Sequence, residues 1–269
     1  MQKYFFLTGL SRAGNTLFAS IMNQNKNIAV TGNSIIPDLM WRIDSVKNEE
    51  EYINFPNEKS IHSLLDNIFP NYYNNWNQEY IIDRGGWGLI DYFELLKKHV
   101  KNEIKLIVLV RDLIEVLASF VKFSNENPTF FLNKIGKNAE EKCDFLMRYT
   151  DKKGGVGQTY GQLSAIKNLI QKENRKYIHI VEYNDLINNT EKTIDGVYNF
   201  LNIPKFGHKF TNLLQLEVNG IKYDDTVLGG NLHTIKTNKV KKNEYNVNDI
   251  LPQTVINKYS GLNIWRNET

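Results

Sequence analysis

The sequence predicts an α/β protein, a single-domain parallel sheet of the P-loop type with helices on both faces. Three observations predict it: short apolar runs typical of buried strands, helical patterns between those runs, and a glycine-containing turn directly after the first run. The chain has 269 residues and is 41% hydrophobic, enough to bury a sizeable core. We therefore expect one domain over residues 1–269.

Each element follows from a local pattern. Apolar runs predict strands, and apolar residues at helical spacing between them predict helices. The strands are expected at residues 4–7, 80–82, 104–110 and 177–181, with 28–30 as a fifth candidate. The helices are expected at residues 17–24, 91–99, 114–123, 139–149 and 163–172. Because strands and helices alternate, the sheet should be parallel.

Two segments are longer than simple connections require. Residues 125–160 and 219–246 are expected to form lids or the wall of a substrate site, because long loops above a ligand site often serve this way. The second segment is polar and rich in lysine. A solvated surface loop is the alternative for it.

Composition limits the partners and the compartment. The net charge is only +3, so neither nucleic acid nor a membrane surface is an expected partner. Cys143 is the sole cysteine, which excludes an intrachain disulfide and fits a reducing compartment. No apolar run approaches the ~18 residues of a membrane span. We expect a cytoplasmic protein.

The turn after the first strand has the composition of an anion-binding loop. Gly9, Gly14 and Thr16 have the spacing of the nucleotide-triphosphatase motif G-x-x-x-x-G-K-[ST]. The lysine position is Asn15, however, and the positive charge lies three residues earlier, at Arg12. Backbone N–H groups and a helix N-terminus can still bind a phosphate there. The loop lacks the lysine that neutralises the β- and γ-phosphates of ATP.

A second anion site is predicted at the end of the run 104–110. Arg111 follows this run, and Ser119 comes eight residues later. Arginine suits bidentate phosphate binding. A structural ion pair of Arg111 with Asp112 or Glu115 is the alternative.

Parallel sheets bind ligands outside the carboxyl ends of their strands. Arg12, Asp83, Arg111 and Tyr183 each follow a predicted strand and are expected to share one crevice. No cluster of histidine, cysteine and aspartate has metal-ligand spacing, and the central strand ends in Arg111 where a magnesium-binding aspartate would be expected. We therefore expect no metal.

Together these motifs resemble the sulfotransferases that use 3′-phosphoadenosine 5′-phosphosulfate (PAPS). The loop LSRAGNTL at 10–17 is similar to their [KR]-[SA]-G-[ST]-[ST]-[LW] motif, and Arg111 with Ser119 is similar to their R-x7-S motif. EYNDL at 182–186, VYNFLNIP at 197–204 and LHTI at 232–235 continue the resemblance over most of the chain. It implies transfer of a sulfuryl group from PAPS to a hydroxyl or an amine, with release of adenosine 3′,5′-bisphosphate (PAP).

The resemblance also implies roles for individual residues. Arg12 would contact the oxygen that bridges phosphate and sulfuryl group, and Arg111 with Ser119 would bind the 3′-phosphate. Tyr183 would lie near the adenine, and Lys236 or Lys239 would close over the 3′-phosphate. The loop that holds the 5′-phosphosulfate would comprise Arg12, Ala13, Gly14, Asn15, Thr16 and Leu17.

Relatives use a histidine or a glutamate as the base that deprotonates the acceptor, and this chain offers neither at the matching positions. Asp83 is the nearest candidate, and an ion pair with Arg84 or a helix-capping role is the alternative for it. Asp38 and His233 are further candidates.

Two other functions remain open. A P-loop kinase or nucleoside triphosphatase shares the fold, and a catalytically silent nucleotide-binding scaffold could keep the same motifs. The acceptor would be a small molecule, a carbohydrate or a peptide. The sequence leaves that choice, and the oligomeric state, undetermined.

Overall fold

The computed structural model describes residues 2–101, 103–148, 157–224, 226, 235, 240 and 245–266. Its centre is a five-stranded parallel sheet with strand order β2-β3-β1-β4-β5. The strands are β1 Lys3–Gly9, β2 Ile28–Val30, β3 Tyr80–Arg84, β4 Leu106–Val110 and β5 Ile178–Glu182. A small antiparallel hairpin adds β6 Glu217–Val218 and β7 Ile221–Lys222.

Helices connect the strands and carry the chain across the sheet. In chain order they are α1 Asn15–Met22, α2 Ile36–Ser45, α3 Glu50–Asn54, α4 Glu58–Asp66, α5 Ile68–Tyr72, α6 Ile90–His99, α7 Leu113–Glu126, α8 Leu132–Ile135, α9 Ala139–Met147, α10 Gln158–Leu169, α11 Tyr183–Asn188, α12 Thr190–Leu201 and α13 Gln253–Tyr259. Short 3₁₀ turns lie at Val46–Asn48, Arg175–Tyr177, Val247–Asp249 and Ile264–Arg266.

The predicted α/β class and all five predicted strands are confirmed, including the short edge strand β2. The ends differ by a few residues. β3 extends to Arg84, two residues beyond its apolar run, because the polar residues Asp83 and Arg84 continue the ladder with β1. α10 begins at Gln158, five residues before the predicted start, because its first turn is polar and carries no apolar periodicity.

Helices pack on both faces of the sheet, as alternating side chains require. On one face, the Phe6 ring packs against Phe69 and Trp87 at centroid distances of 5.5 and 5.3 Å. On the other face, His179 of β5 stacks on Phe200 of α12 at 5.2 Å. Strand β4, next to the central strand β1, is enclosed on both sides, and all five of its residues are buried.

Gly9 allows β1 and β4 to approach at their carboxyl ends. Its φ is +136°, and a Cβ built on it would lie 2.0 Å from the Leu109 carbonyl oxygen. Directly after it, the Leu10 N–H donates to that same carbonyl over 2.8 Å. Glycine is required here because a side chain meets both a strained backbone and a steric clash.

The two long segments, residues 125–160 and 219–246, differ in secondary structure. Residues 125–160 hold α8, α9 and the start of α10, with Cys143 fully buried. Residues 219–246 are described at 219–224, 226, 235, 240, 245 and 246, where they include β7. Their role as lids or substrate walls stays a prediction. Within the described part of the chain, no helix has the length and apolar character that crossing a membrane would need.

Replacing Gly9 with alanine should lower the free energy of unfolding by about 3 kcal/mol, since a strained φ and an overpacked contact each cost about 1–3 kcal/mol. Urea denaturation measures the change. Gly207→Ala is the matched control, because a Cβ there meets nothing within 4 Å and its φ is outside the left-handed range. Equal stability of the two variants would contradict the close approach.

Candidate functional site

The loop between β1 and α1 is built to expose backbone donors. Arg12 has φ +63° and Gly14 has φ +84°, so two left-handed residues stand within the turn. Such turns let successive N–H groups line one concavity that binds anions. The first turn of α1 carries no acidic residue, so the positive end of its dipole is not neutralised.

Asn15 has a structural task that the sequence does not reveal. Its side-chain amide donates to the Leu10 carbonyl over 2.8 Å, across the neck of the loop. Ser11 is held from outside by α10: its N–H donates to Gln162 Oε1 over 2.8 Å, and its hydroxyl accepts from Gln158 and Gln162. These contacts hold the loop in shape.

Arg111 is buried, with 4% of its surface exposed, and three contacts orient its guanidinium. Its Nε pairs with Glu115 at 2.9 Å, its Nη1 donates to the Arg12 carbonyl at 3.0 Å, and its Nη2 donates to the Tyr245 hydroxyl at 3.2 Å. The ion pair with Glu115 therefore forms. A guanidinium has five N–H groups, so these contacts leave two for a further acceptor.

Asp112 does not pair with Arg111. Its carboxylate accepts from the Ile114 N–H at 3.1 Å as the N-cap of α7, and it forms an ion pair with Arg266 at 3.2 Å.

The spacing of the second motif follows from helix geometry. Glu115, Ser119 and Phe123 lie four residues apart on α7 and thus share one face of the helix. Arg12 reaches this face from β1: its Nε donates to Ser119 Oγ over 3.0 Å, and its Cζ lies 6.0 Å from the centre of the Phe123 ring. The two predicted anion sites are thereby in direct contact.

Tyr183 lies at the same place. The Arg111 Cζ is 4.2 Å from the centre of its ring, a cation–π distance. The ring also covers Gly14, where an added Cβ would come within 3.0 Å of it. Burial raises the pKa of Tyr183. Of the four residues expected in one crevice, the structure brings Arg12, Arg111 and Tyr183 together.

Asp83 is the fourth, and its expected position past the strand end is wrong. It lies inside β3 and is fully buried. Trp87 Nε1 donates to its Oδ1 over 2.8 Å, and the Tyr73 hydroxyl donates to its Oδ2. Burial raises the pKa of Asp83 to about 6, although these donors partly oppose the shift. Enclosed in this way, the carboxylate has no direct access to the protein surface.

The proposed ion pair of Asp83 with Arg84 is also absent among the described residues, because adjacent strand residues point to opposite faces. Arg84 Nη1 is enclosed and has no hydrogen-bond partner within the part of the chain that the structure describes. The other candidate, Asp38, accepts a hydrogen bond from Tyr92 on the exposed surface of α2.

His233, Lys236 and Lys239 lie outside the described residues. Five residues that shape the site carry no sequence signal, because their contacts are set by the packing of the elements and not by a local motif: Tyr73, Trp87, Gln158, Gln162 and Tyr245. No group of three potential metal ligands occurs within the described ranges.

The raised pKa of Asp83 predicts a pH-dependent stability difference between the wild type and Asp83→Asn. The native protein holds this proton up to about pH 6, whereas the unfolded chain releases it near its ordinary pKa of 3.8. The protonated Asp83 therefore stabilises the folded wild type below pH 4, and this contribution to the free energy of unfolding should disappear as the pH rises through 6. The asparagine amide fits the site by donating to Tyr73 and accepting from Trp87.

Urea denaturation of both proteins from pH 4 to pH 7 measures this difference. The unfolding free energy of the wild type, relative to the variant, should fall by about 2 kcal/mol over that range. If the difference in unfolding free energy between the two proteins does not change with pH, the pKa of Asp83 is not raised.

Comparison with known proteins identifies a family and a shared fold. The model of the sulfotransferase domain family matches residues 91–261. The sulfotransferase domain from the curacin biosynthetic pathway shares the fold, with a TM-score of 0.55 and 13% identity over 96% of this chain and 97% of that chain. A search of curated proteins found no match.

Two further solved structures are more distant. The sulfotransferase domain of the olefin synthase of Synechococcus PCC 7002 has a TM-score of 0.48 and 11% identity over 76% of this chain and 75% of that chain. A mouse sulfotransferase complexed with PAP has a TM-score of 0.46 and 12% identity over 77% of this chain and 60% of that chain. The family match spans more than half of the sequence, and the chain belongs to the sulfotransferase domain family.

Proposed function

We propose that the protein transfers a sulfuryl group from PAPS to a hydroxyl acceptor and releases PAP. One observation carries the proposal: the loop after β1 and the arginine after β4 meet through the contacts of Arg12 with Ser119 and of Arg111 with the Arg12 carbonyl. Two cationic side chains and a helix N-terminus thus converge at one edge of the sheet, which suits a ligand with two separate anionic groups.

Each part of the site would have a distinct task. The loop residues Ala13, Gly14, Asn15 and Thr16 would offer backbone N–H groups, and Thr16 its hydroxyl, to the 5′-phosphate. Arg111 would use its two remaining N–H groups for the 3′-phosphate, next to Ser119. Tyr183, which covers Gly14 and Arg111, would bound the nucleotide.

Arg12 would act on the chemistry itself. As the bond between sulfur and the bridging oxygen breaks, negative charge grows on that oxygen, and a guanidinium beside it stabilises the transition state more than the ground state. Arg12 is already held by Ser119 and the Phe123 ring, so little ordering is needed at that moment.

The same geometry disfavours a kinase or nucleoside triphosphatase. In those enzymes a lysine after the second glycine of the loop neutralises the terminal phosphates. Here that position is Asn15, whose neutral amide is engaged with the Leu10 carbonyl inside the loop. A sulfuryl group carries less charge than a γ-phosphoryl group, so a single nearby cation suffices.

PAP should raise the melting temperature of the protein without magnesium, whereas ATP with magnesium should raise it less at equal concentration, because a ligand that binds the folded state stabilises it by mass action. Arg111→Ala should weaken PAP more than adenosine 5′-phosphosulfate, which lacks the 3′-phosphate. Calorimetry measures both affinities.

Glu115→Gln is the matched control for this experiment. It breaks the same ion pair but keeps the guanidinium, and it removes a negative charge beside the site. PAP affinity should therefore persist or rise in this variant. Equal losses for both nucleotides in Arg111→Ala would reject the 3′-phosphate assignment.

Arg12→Ala should reduce the rate of sulfuryl transfer by ~10²-fold or more, the scale for losing one preorganised donor in a transition state. PAP affinity should fall less, because the bridging oxygen gains its charge only during transfer. Arg12→Lys should retain part of the rate. Transfer with labelled PAPS measures these effects, and a variant that transfers normally would leave Arg12 a purely structural role.

A further inference from the structure

A cavity of about 460 Å³ opens beside the nucleotide site, between the loop after β2, the end of α5 and the β6–β7 hairpin. Such a volume lies in the range of ~300–1,000 Å³ that is typical of small-molecule sites. Its walls are mostly aromatic and aliphatic, and they include Ser34, Tyr72, Tyr73, Trp76, Leu216 and Tyr223. Its two charged lining residues, Lys222 and Asp224, are exposed.

The cavity lies within reach of the proposed donor. Its loop follows β2, and the order β2-β3-β1 separates this strand from β1 by two strand spacings. Neighbouring strands are about 4.8 Å apart, so the carboxyl ends of β1 and β2 lie about 10 Å apart. A nucleotide held at Arg12 would therefore direct its sulfuryl group towards an acceptor in this cavity.

A buried proton acceptor stands behind the cavity wall. Tyr73 lines the cavity and donates its hydroxyl to Asp83. Ser34, also part of the wall, lies beside both groups, and its hydroxyl acts to lower the pKa of each. On the far side, Trp87 Nε1 holds the second carboxylate oxygen at 2.8 Å. The carboxylate is therefore connected to the cavity through hydroxyl groups.

We propose that this cavity binds the acceptor, a small and mostly apolar molecule with a hydroxyl group, and that Tyr73 and Asp83 together remove the hydroxyl proton. The proposal rests on the proposed function, because it requires PAPS at the neighbouring loop. It assigns Tyr73 as the catalytic residue that touches the acceptor and Asp83 as a positioning residue that acts through it.

The proton transfer balances. The acceptor oxygen attacks sulfur, and the bond from sulfur to the bridging oxygen breaks, with its electron pair leaving on PAP. The acceptor proton passes to the Tyr73 oxygen while the Tyr73 proton passes to the Asp83 carboxylate. Asp83 must therefore be ionised beforehand, and release of its proton to solvent completes the cycle.

The apolar part of the cavity wall favours an apolar acceptor. Tyr72, Trp76 and Tyr223 present rings, and Leu216 adds aliphatic surface, so the cavity favours a ring or a short hydrocarbon over a hydrated sugar.

The pH dependence of kcat/KM at this site is expected to arise from Asp83. Among the described residues, the titratable groups that face Asp83 are the phenols of Tyr72 and Tyr73, whose pKa values are raised. Neither phenol ionises near pH 6. Arg84, on the same strand, points to the other face of the sheet. An acidic limb of kcat/KM near pH 6 should therefore report Asp83.

The experiment compares the wild type, Tyr73→Phe and Asp83→Asn with PAPS as donor and benzyl alcohol or 4-nitrophenol as acceptor. Both variants should transfer to benzyl alcohol ~10²-fold more slowly than the wild type, the scale for losing a general base. The loss should be smaller for 4-nitrophenol, whose hydroxyl is already acidic. The acidic limb near pH 6 should be absent in Asp83→Asn.

Tyr80→Phe is the matched control. It removes a phenol from the opposite end of β3, so its turnover should match the wild type. PAP affinity, measured by calorimetry, should be equal in all four proteins. A Tyr73→Phe variant with wild-type turnover would overturn the proposal, as would a wild type that binds PAP and sulfates glucose or a serine peptide but neither apolar alcohol. Failure of the wild type to bind PAP would instead reject the proposed function itself.

Discussion

The close approach of β1 and β4 at Gly9 is the constraint on which the rest of the site depends. With no side chain between the strands, the Leu10 N–H reaches the Leu109 carbonyl, and both chains leave the sheet at the same level. Only then can the Arg111 guanidinium reach the Arg12 carbonyl, and the Arg12 side chain reach Ser119 on α7. The two predicted anion-binding elements, about one hundred residues apart in the chain, come into direct contact through this packing.

Internal contacts orient Arg111 without occupying all the N–H groups of its guanidinium. Burying a charge without partners is costly, and Glu115 together with two neutral acceptors offsets that cost for Arg111. The guanidinium keeps two N–H groups for a ligand and loses little conformational freedom when the ligand arrives. The negative charge of Glu115 beside this guanidinium would oppose a bound phosphate, so under the proposed function the affinity for the nucleotide would depend on both orientation and repulsion.

The sequence was sufficient where the determinants are local. The glycine spacing of residues 9–16 predicted the turn between β1 and α1, and the strand-to-helix pattern around Arg111 predicted that Ser119 lies two turns into the next helix, because a turn and a helix face are set by nearby residues. Asp83 shows where such reasoning fails. Its polar character suggested that the strand had already ended, but Tyr73 and Trp87 satisfy it inside the sheet. Those partners come from other elements and have no periodic pattern that marks them.

The order of the strands separates the proposed nucleotide site from the cavity beside it. Arg12, Arg111 and Tyr183 follow β1, β4 and β5, and these strands form one side of the sheet, where the nucleotide would bind. Ser34 and Asp83 belong to the region of β2 and β3 on the other side, where the cavity opens.

Arg12, in the loop after the central strand β1, stands at the boundary between the two sides. Under the proposed function, a charge at this boundary acts on the bond between sulfur and the bridging oxygen, which lies between the nucleotide and the acceptor. The residues of either side can then change without altering the other side. Under the proposed function, the acceptor side can change while the nucleotide loop stays the same, and the acceptor side is accordingly less recognisable from sequence than that loop.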